Sequence, residues 1–385
     1  MKLFYLSNSK IPSREANSIH VMKMCQAFTE LGHEVTLLAP DVKVGIEPDV
    51  DDVYGFYGIK SNFKLRKLPW RNIKGRAWLY GLEAAREARR SGAAAAYGRC
   101  LYSCAFAARL GVPTVWDAHL PTFLRRRSER LLFRWMLRSS AFRGMTVNCG
   151  ALKDHIVHAM PQLQDRITVA HNGGDVPRPA MKEVDSQATG RLKVGYVGHL
   201  YPGKGLEIIR ELAKCADWAA FHVVGGQQQI LDRLLRDKTL AHNVHVHGFV
   251  MPADAERLVS TFDVMLAPYQ REVRIAGGGE TAAWMSPLKI FNYMAAGKPI
   301  ICSDLPVLRE IIEHNRNGLL VSPDNAQAWV EALRDLSEDE GLRARLGRTA
   351  QEDFLARHTW KHRANRSLDC FTNVAAGSAL HNAAM

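Results

Sequence analysis

The sequence predicts an α/β chain of two doubly wound domains joined by a linker. Three observations predict it. Apolar strand-like runs alternate with amphipathic helical stretches from the first residues to about residue 357. The alternation breaks once, at 171–192, where HNGGDVPRPAMKEVDSQATGRL is rich in Gly, Pro and polar residues and has no period. The chain has 385 residues, 47% hydrophobic and 23% charged, which suits two or three folded domains and not a disordered chain. The expected boundaries are 1–170 for the first domain, 171–192 for the linker and 193–357 for the second domain. Residues 358–385 form a C-terminal helix and tail expected to pack back on the first domain. Ligands of doubly wound sheets bind at the carboxyl ends of the strands, so the two domains are expected to face each other across a cleft.

KLFYLS reads as the first strand, with an apolar run too short for a signal peptide. NSIHVMKMCQAFTELGH is an amphipathic helix, with Ile19, Met22, Cys25, Phe28 and Leu31 near helical spacing. Asn17 or Ser18 is the expected cap, and Gly32 the stop. EVTLLAP completes a βαβ opening. Strands follow at AAAAYG, PTVWDAH and GMTVNC, with helices between them. After the linker come strand LKVGYVGHL, helix GLEIIRELAKCA, strand AAFHVVGG, helix QQILDRLLRDKTL and strand NVHVHGFV. Helix DAERLVSTF, strand DVMLAPY, helix PLKIFNYMAAG and strand PIICSD come next. PVLREIIEH is read as a helix, NGLLVSP as a strand, and AQAWVEALRDLSED and RARLGRTAQEDFLARH as closing helices.

The formal net charge is +12, and it is concentrated. Between Lys60 and Arg143 there are 19 Lys and Arg against 4 Asp and Glu. Such a segment suits a negative partner, whether membrane, nucleic acid or polyanion. Read as a helix, LRRRSERLLFRWMLR puts Arg127, Arg130, Arg134 and Arg138 on one stripe, with Leu124, Leu131 and Trp135 nearby. Trp70 and Trp78 in KLRKLPWRNIKGRAWLYG suit the same surface. An anionic membrane surface is therefore an expected partner, against the plainer reading of a core helix with a solvated basic face. No helix-turn-helix, zinc or RNA-module signature supports nucleic acid, and none is expected. No run of about 18 uncharged apolar residues is present, so no membrane span is expected. Seven scattered cysteines without a CxxC pair suit a reducing, cytoplasmic setting, on the inner face of a membrane if attached.

Two loops have the chemistry of an anion site. In GYVGHLYPGKGLEII a strand ends at Gly198, His199 and Lys204 occupy a short loop, and Gly205 opens a helix. Free N–H groups at the helix start and the lysine charge both favour an anion. A plain βα turn with a solvated lysine is the alternative. In SPLKIFNYMAAG, Ser286 is expected to cap a helix beginning at Pro287. Lys289 then lies in the first turn, where the macrodipole disfavours a cation unless an anion is bound. Otherwise it points to solvent. Two such sites in one domain suit a diphosphate. His242, His245 and His247 in HNVHVHGF suggest zinc only weakly, as do Cys100 and Cys104, because no matching ligand cluster is evident.

HNGGDV, GYVGHLYPGKG, FHVVGGQQ, HGFV, FDVMLAPY, SPLKIFNYMAAGKPIICSDLP and NGLLVSP come in the order of the donor domain of family 4 glycosyltransferases. NSIHVMKMCQAFTELGHEVTLLAP and YGRCLYSCAFAARLGVPTVWDAHLP resemble its acceptor domain, so the likeness covers nearly the whole chain. The resemblance implies a GT-B fold: an acceptor-binding Rossmann-like domain and a nucleotide-sugar-binding one. It implies retaining transfer of a sugar from a nucleotide-diphosphate donor to a hydroxyl of a glycan or lipid-linked acceptor, in cell-surface or exopolysaccharide synthesis. It also implies site residues. Lys204 would bind the diphosphate, with Gly198, His199, Leu288 and Lys289. Gly225, Gly226, Gly248, Phe249, Val250 and Asn292 would meet the nucleoside. Asn17, Ser18, His20, Glu280 and Ser286 would serve the sugar or acceptor. His119 would lie across the cleft near the transferred sugar, as the one candidate for assisting; a hydrogen-bonded structural histidine is the alternative.

The sequence departs from the family pattern at three places. Asn292 and Trp284 stand where many members have two glutamates, with Glu280 as a substitute for the first. His199 replaces an arginine. The first loop lacks paired glycines. A catalytically weak or inactive nucleotide- or glycan-binding relative is thus the alternative function; a GT-B epimerase fits the ordered motifs less well. No paired carboxylates stand out as in glycosidases, and no metal or other cofactor is expected.

Overall fold

The computed structural model describes residues 1–177, 191–226, 228–236, 240–274 and 281–382. The chain divides into two compact units, Met1–Asn172 together with the chain from Trp360 onward, and Gly173–Thr359.

The first unit runs β1 (Lys2–Leu6), α1 (Ala16–Glu30), β2 (Glu34–Asp41), α2 (Val53–Phe56), β3 (Lys64–Pro69), α3 (Arg76–Arg90), β4 (Ala95–Gly98) and α4 (Leu101–Arg109). It continues with β5 (Thr114–Ala118), α5 (Thr122–Arg125), α6 (Arg127–Leu137), β6 (Phe142–Val147), α7 (Gly150–Ala159) and β7 (Ile167–Val169). Its seven parallel strands lie in the order β3-β2-β1-β4-β5-β6-β7. The central β4 and β5, AAYG and TVWDA, are buried throughout, as strands covered on both faces must be. The edge strand β3 was hidden from periodicity reading. Its KLRKLP turns lysine and arginine outward, which also protects an open edge from pairing with another chain.

The second unit runs β8 (Leu192–Val197), α8 (Leu206–Cys215), β9 (Ala219–Val224), α9 (Gln228–Arg236), β10 (Val244–Gly248), α10 (Pro252–Thr261) and β11 (Val264–Ala267). Then come α11 (Leu288–Ala295), β12 (Ile300–Ser303), β13 (Leu319–Val321), α12 (Ala326–Glu338) and α13 (Glu340–Arg357). Six parallel strands lie in the order β10-β9-β8-β11-β12-β13. Tyr196, Leu212, Phe221, Leu266, Trp329 and Leu333 are among the buried residues of its core. The final helix α14 (Trp360–Asn382) returns to the first unit and packs on α1, β5, β6 and β7. Strand order reverses between β1 and β4 in one sheet and between β8 and β11 in the other. The loops after those four strands therefore mark each unit's ligand-binding switch point.

Two local expectations are corrected. Neither Asn17 nor Ser18 caps α1: Glu15 takes the N-cap position without a side-chain cap, and both residues lie inside the first turn. PVLREIIEH is a run of turns, not a helix. There the Asn317 side chain accepts from Glu313 N–H at 2.8 Å and donates to Ile311 C=O at 3.2 Å, taking backbone groups that a continuing helix would need.

Candidate active site

In the second unit the carboxyl ends of β8, β9 and β10 are laced together by glycines. Gly198 N–H donates to Val224 C=O at 2.9 Å, and Gly225 N–H to Gly248 C=O at 2.6 Å. Gly225 has φ +105°, and a Cβ on it would stand 2.5 Å from the Gly198 carbonyl oxygen. Only glycine permits that approach. Gly226 adjoins it, and Phe249 and Val250 follow Gly248, with the Phe249 ring 39% exposed.

Above Gly198 lies Lys289. A Cβ built on Gly198 would meet its Cε at 3.1 Å and Nζ at 3.2 Å. The Lys289 ammonium is 3.5 Å from the Tyr196 ring centroid and 5.1 Å from that of Tyr269, and it has no hydrogen-bond partner among the described residues. Lys204 reaches the same ring, its Nζ 5.2 Å from the Tyr269 centroid. Burial lowers the Lys204 ammonium to about 8. Burial first, and then the Lys204 charge, hold Lys289 well below the ordinary lysine range. No carboxylate pairs with either ammonium among the described residues. The solvated-lysine alternative therefore fails for Lys289, whose cationic head is enclosed. Cation–π contact with two tyrosines compensates only part of the desolvation, and an oxyanion would compensate the rest.

The helix starts agree with this in one respect and correct the sequence reading in another. Pro287, not Ser286, occupies the N-cap of α11, and neither α8 nor α11 has a side-chain cap. Ser286 is buried beside that start, and the N-cap residues themselves, Gly205 and Pro287, offer the first-turn N–H groups no side-chain acceptor. Leu288 opens α11. Asn292, one turn further, is exposed. His199 stacks on Tyr201, and its carbonyl accepts from the Tyr196 hydroxyl at 2.7 Å. Trp284 lies half-buried in a short turn, and Glu280 lies outside the described residues.

In the first unit His119 belongs to a buried network centred on Asp117. One carboxylate oxygen of Asp117 accepts from the Arg363 guanidinium at 2.9 Å and the Thr146 hydroxyl at 2.8 Å. The other faces Nε2 of His119 at 3.1 Å and Nε2 of His20 at 3.2 Å. Burial opposes the Asp117 charge, but His119, Arg363 and His20 facing it hold it well below the usual carboxylate range. Burial lowers His119 to about 4, so its ring is neutral at ordinary pH. With Nε2 donating to Asp117, Nδ1 is left as an acceptor. The structural-histidine alternative for His119 is thus half met: one nitrogen is anchored and the ring retains a small exposed edge.

His20 does not present itself to a ligand. It is fully enclosed, with Nδ1 3.0 Å from the Asn172 side-chain oxygen and Nε2 on Asp117, so it props the network instead of meeting a sugar. Ser18 is likewise enclosed, its hydroxyl on the Lys10 carbonyl and the Ser13 hydroxyl. Asn17, beside it, keeps a buried side-chain oxygen without a hydrogen-bond partner among the described residues. Reading the sequence missed Asp117, Arg363, Tyr196 and Tyr269. Asp117 was readable two residues before His119; Arg363 was not, since 246 positions separate it from its partner.

Among the described residues, His20, Asp117 and His119 are the group compact enough to hold a metal, their ligand atoms within 4.8 Å of one another. The Arg363 guanidinium against the same carboxylate and 3.3 Å from His119 Nε2 opposes a second cation there. His245 and His247 do share a face of β10, where His222 of β9 stacks on both. The stripe Arg127, Arg130, Arg134 and Arg138 is exposed along α6, with Leu131 58% exposed beside it. The buried face of α6 is Leu132, Phe133 and Met136. No helix among the described residues is long and apolar enough to cross a membrane.

Two family models match the chain: Glycosyltransferase Family 4 over residues 18–178 and Glycosyl transferases group 1 over residues 191–339. An uncharacterized glycosyltransferase of Methanocaldococcus jannaschii is 26% identical over 183 residues, 46% of this chain and 43% of its own length. The chain thus spans less than half of that relative. A GDP-mannose-dependent alpha-mannosyltransferase of Mycolicibacterium smegmatis is 25% identical over 381 residues, 94% of each chain. The crystal structure of Anabaena Alr3699/HepE in complex with UDP superposes with a TM-score of 0.71 at 17% identity, covering 98% of this chain and 100% of the other. With the two Rossmann-like sheets and the ordered motifs, these matches establish that the chain belongs to the family 4 glycosyltransferases of the GT-B fold.

Proposed function

We propose that the protein is a retaining glycosyltransferase that moves a sugar from a nucleotide diphosphate to a hydroxyl of a glycan or lipid-linked acceptor in surface or exopolysaccharide synthesis. The observation that carries this reading is the pair Lys204 and Lys289, converging on Tyr269 beside Gly198 with no carboxylate among the described residues to neutralise them. Two ammonium groups and two helix N-termini suit the charge that develops on a departing diphosphate, without requiring a metal. The sugar C1–O bond to the diphosphate breaks and the acceptor oxygen bonds C1 on the same face. The acceptor proton passes to the leaving phosphate oxygen. Gly225, Gly226 and the 248–250 loop serve the nucleoside, and neutral His119 offers an acceptor nitrogen to a sugar hydroxyl.

The exposed α6 arginines, with Trp78 40% exposed on α3, the helix on the far side of α4, support docking on an anionic cytoplasmic leaflet, where a lipid-linked acceptor would be met.

A thermal-shift panel of UDP, GDP, ADP and dTDP with their sugars, on wild type and Lys204→Ala, tests the donor site. Stabilisation by one nucleotide, lost in the variant, is the expected result. Binding without transfer or hydrolysis would instead favour a non-catalytic nucleotide-binding relative, a reading motivated by Asn292 and Trp284. No shift with any nucleotide removes the donor-site assignment.

A further inference from the structure

Arg99 follows β4 directly, at the switch point of the first sheet. Its backbone is pinned from both sides: its N–H donates to Leu6 C=O of β1 at 3.1 Å, and the Trp116 indole N–H of β5 donates to its carbonyl at 3.3 Å. The side chain is half-buried. Asp117, Tyr5, Tyr97, Arg363 and His119 lie within electrostatic reach of its guanidinium. None of them is hydrogen-bonded to it.

The charges of this cluster do not balance. Among the described residues, Asp117 is the carboxylate that faces both Arg99 and Arg363. That carboxylate is already filled by Arg363, Thr146, His20 and His119. With both imidazoles neutral the cluster keeps one positive charge in excess; with either protonated, the excess grows. Burial pushes the Arg99 guanidinium down from its ordinary value, a sign that its charge is held there at a cost. A fixed backbone, a place at the switch point of the sheet and a guanidinium with no hydrogen-bond partner among the described residues suit an oxyanion-binding group.

We propose that Arg99 binds an oxyanion, a phosphate or carboxylate carried by the acceptor substrate. This rests on the transferase reading only in naming the acceptor. The donor diphosphate has its own two ammonium groups in the second unit, Lys204 and Lys289, and so does not need Arg99.

Isothermal titration with inorganic phosphate, and separately with UDP and GDP, on wild type, Lys204→Ala, Arg99→Gln and Arg99→Lys tests it. Phosphate affinity in Arg99→Gln, measured beside Lys204→Ala to identify the second site, is expected to fall at least about tenfold at one class of site, the loss of one charge-assisted pair. Arg99→Lys retains part of that binding, and nucleotide binding survives in both Arg99 variants. In phosphate-free buffer Arg99→Gln is expected to melt at or above the wild-type temperature, because it removes an unmatched charge. Wild-type phosphate binding in Arg99→Gln overturns the proposal. So does a loss of nucleotide binding with phosphate binding intact, which assigns Arg99 to the donor. A lowered melting temperature in Arg99→Gln, restored by Arg99→Lys, would make Arg99 a structural cation and equally overturn it. Failure of the transferase reading shows separately, as wild type that binds no nucleotide.

Discussion

The ammonium of Lys289 stands 3.5 Å from the centre of the Tyr196 ring and has no hydrogen-bond partner among the described residues. A buried unpartnered polar group costs about 1–3 kcal/mol, and more when charged. Lys289→Met keeps the aliphatic stem and removes the charge. The variant is expected to be more stable than wild type by about 1–3 kcal/mol in urea denaturation, while losing nucleoside-diphosphate binding. A destabilised variant would mean that the ammonium belongs to the fold.

Lys204 titrates at about 8 in the folded chain. A bound diphosphate raises that value, so binding takes up a proton once pH exceeds about 8. Nucleotide affinity is expected to fall there, by up to about tenfold per pH unit. Without ligand the sign reverses. Between about 8 and the ordinary lysine value near 10.4 the unfolded chain binds more protons, so folding stability gains with rising pH. Titration calorimetry across pH 7–10 reads the first effect; the step near pH 8 should be missing in Lys204→Ala.

Arg363 and Asp117 form an ion pair with side chains 1% and 0% exposed. Removing Arg363 takes from the Asp117 carboxylate the one cation hydrogen-bonded to it among the arginines of the cluster. Arg363→Met should therefore cost about 3–5 kcal/mol, seen as a large drop in melting temperature. Asp117 is depressed in the folded state, so its contribution is present above the ordinary carboxylate range and is lost as pH falls below it. The difference between wild type and Arg363→Met should accordingly narrow in acid.

Gly225→Ala places a methyl group 2.5 Å from the Gly198 carbonyl oxygen at φ +105°. Both the contact and the backbone angle are unfavourable, by about 1–3 kcal/mol for the strain alone. Weaker nucleotide binding with a lowered melting temperature is the expected pair of results.

Replacing Arg127, Arg130, Arg134 and Arg138 by glutamine should abolish flotation with anionic liposomes at low salt and leave melting unchanged, since all four side chains are exposed. Wild type that fails to float removes the membrane partner altogether.

The sequence by itself determined the alternation of strands and helices, the division near residue 171, and the loops that present Lys204, Lys289 and His119. Those features are local: period, glycine and proline positions and helix starts act within a few residues. The highly charged edge strand β3 escaped because no alternation marks it, and the turns at 306–311 escaped because a side chain six positions beyond, Asn317, takes the backbone groups a helix needs. The tertiary structure decided which charges are matched. Nothing local says that Lys289 is roofed by Tyr196 and Tyr269, that His20 turns inward to Asp117, or that Arg363 takes the carboxylate and leaves Arg99 without one. Electrostatic pairing depends on distance in space, and the sheet order brings together residues hundreds of positions apart.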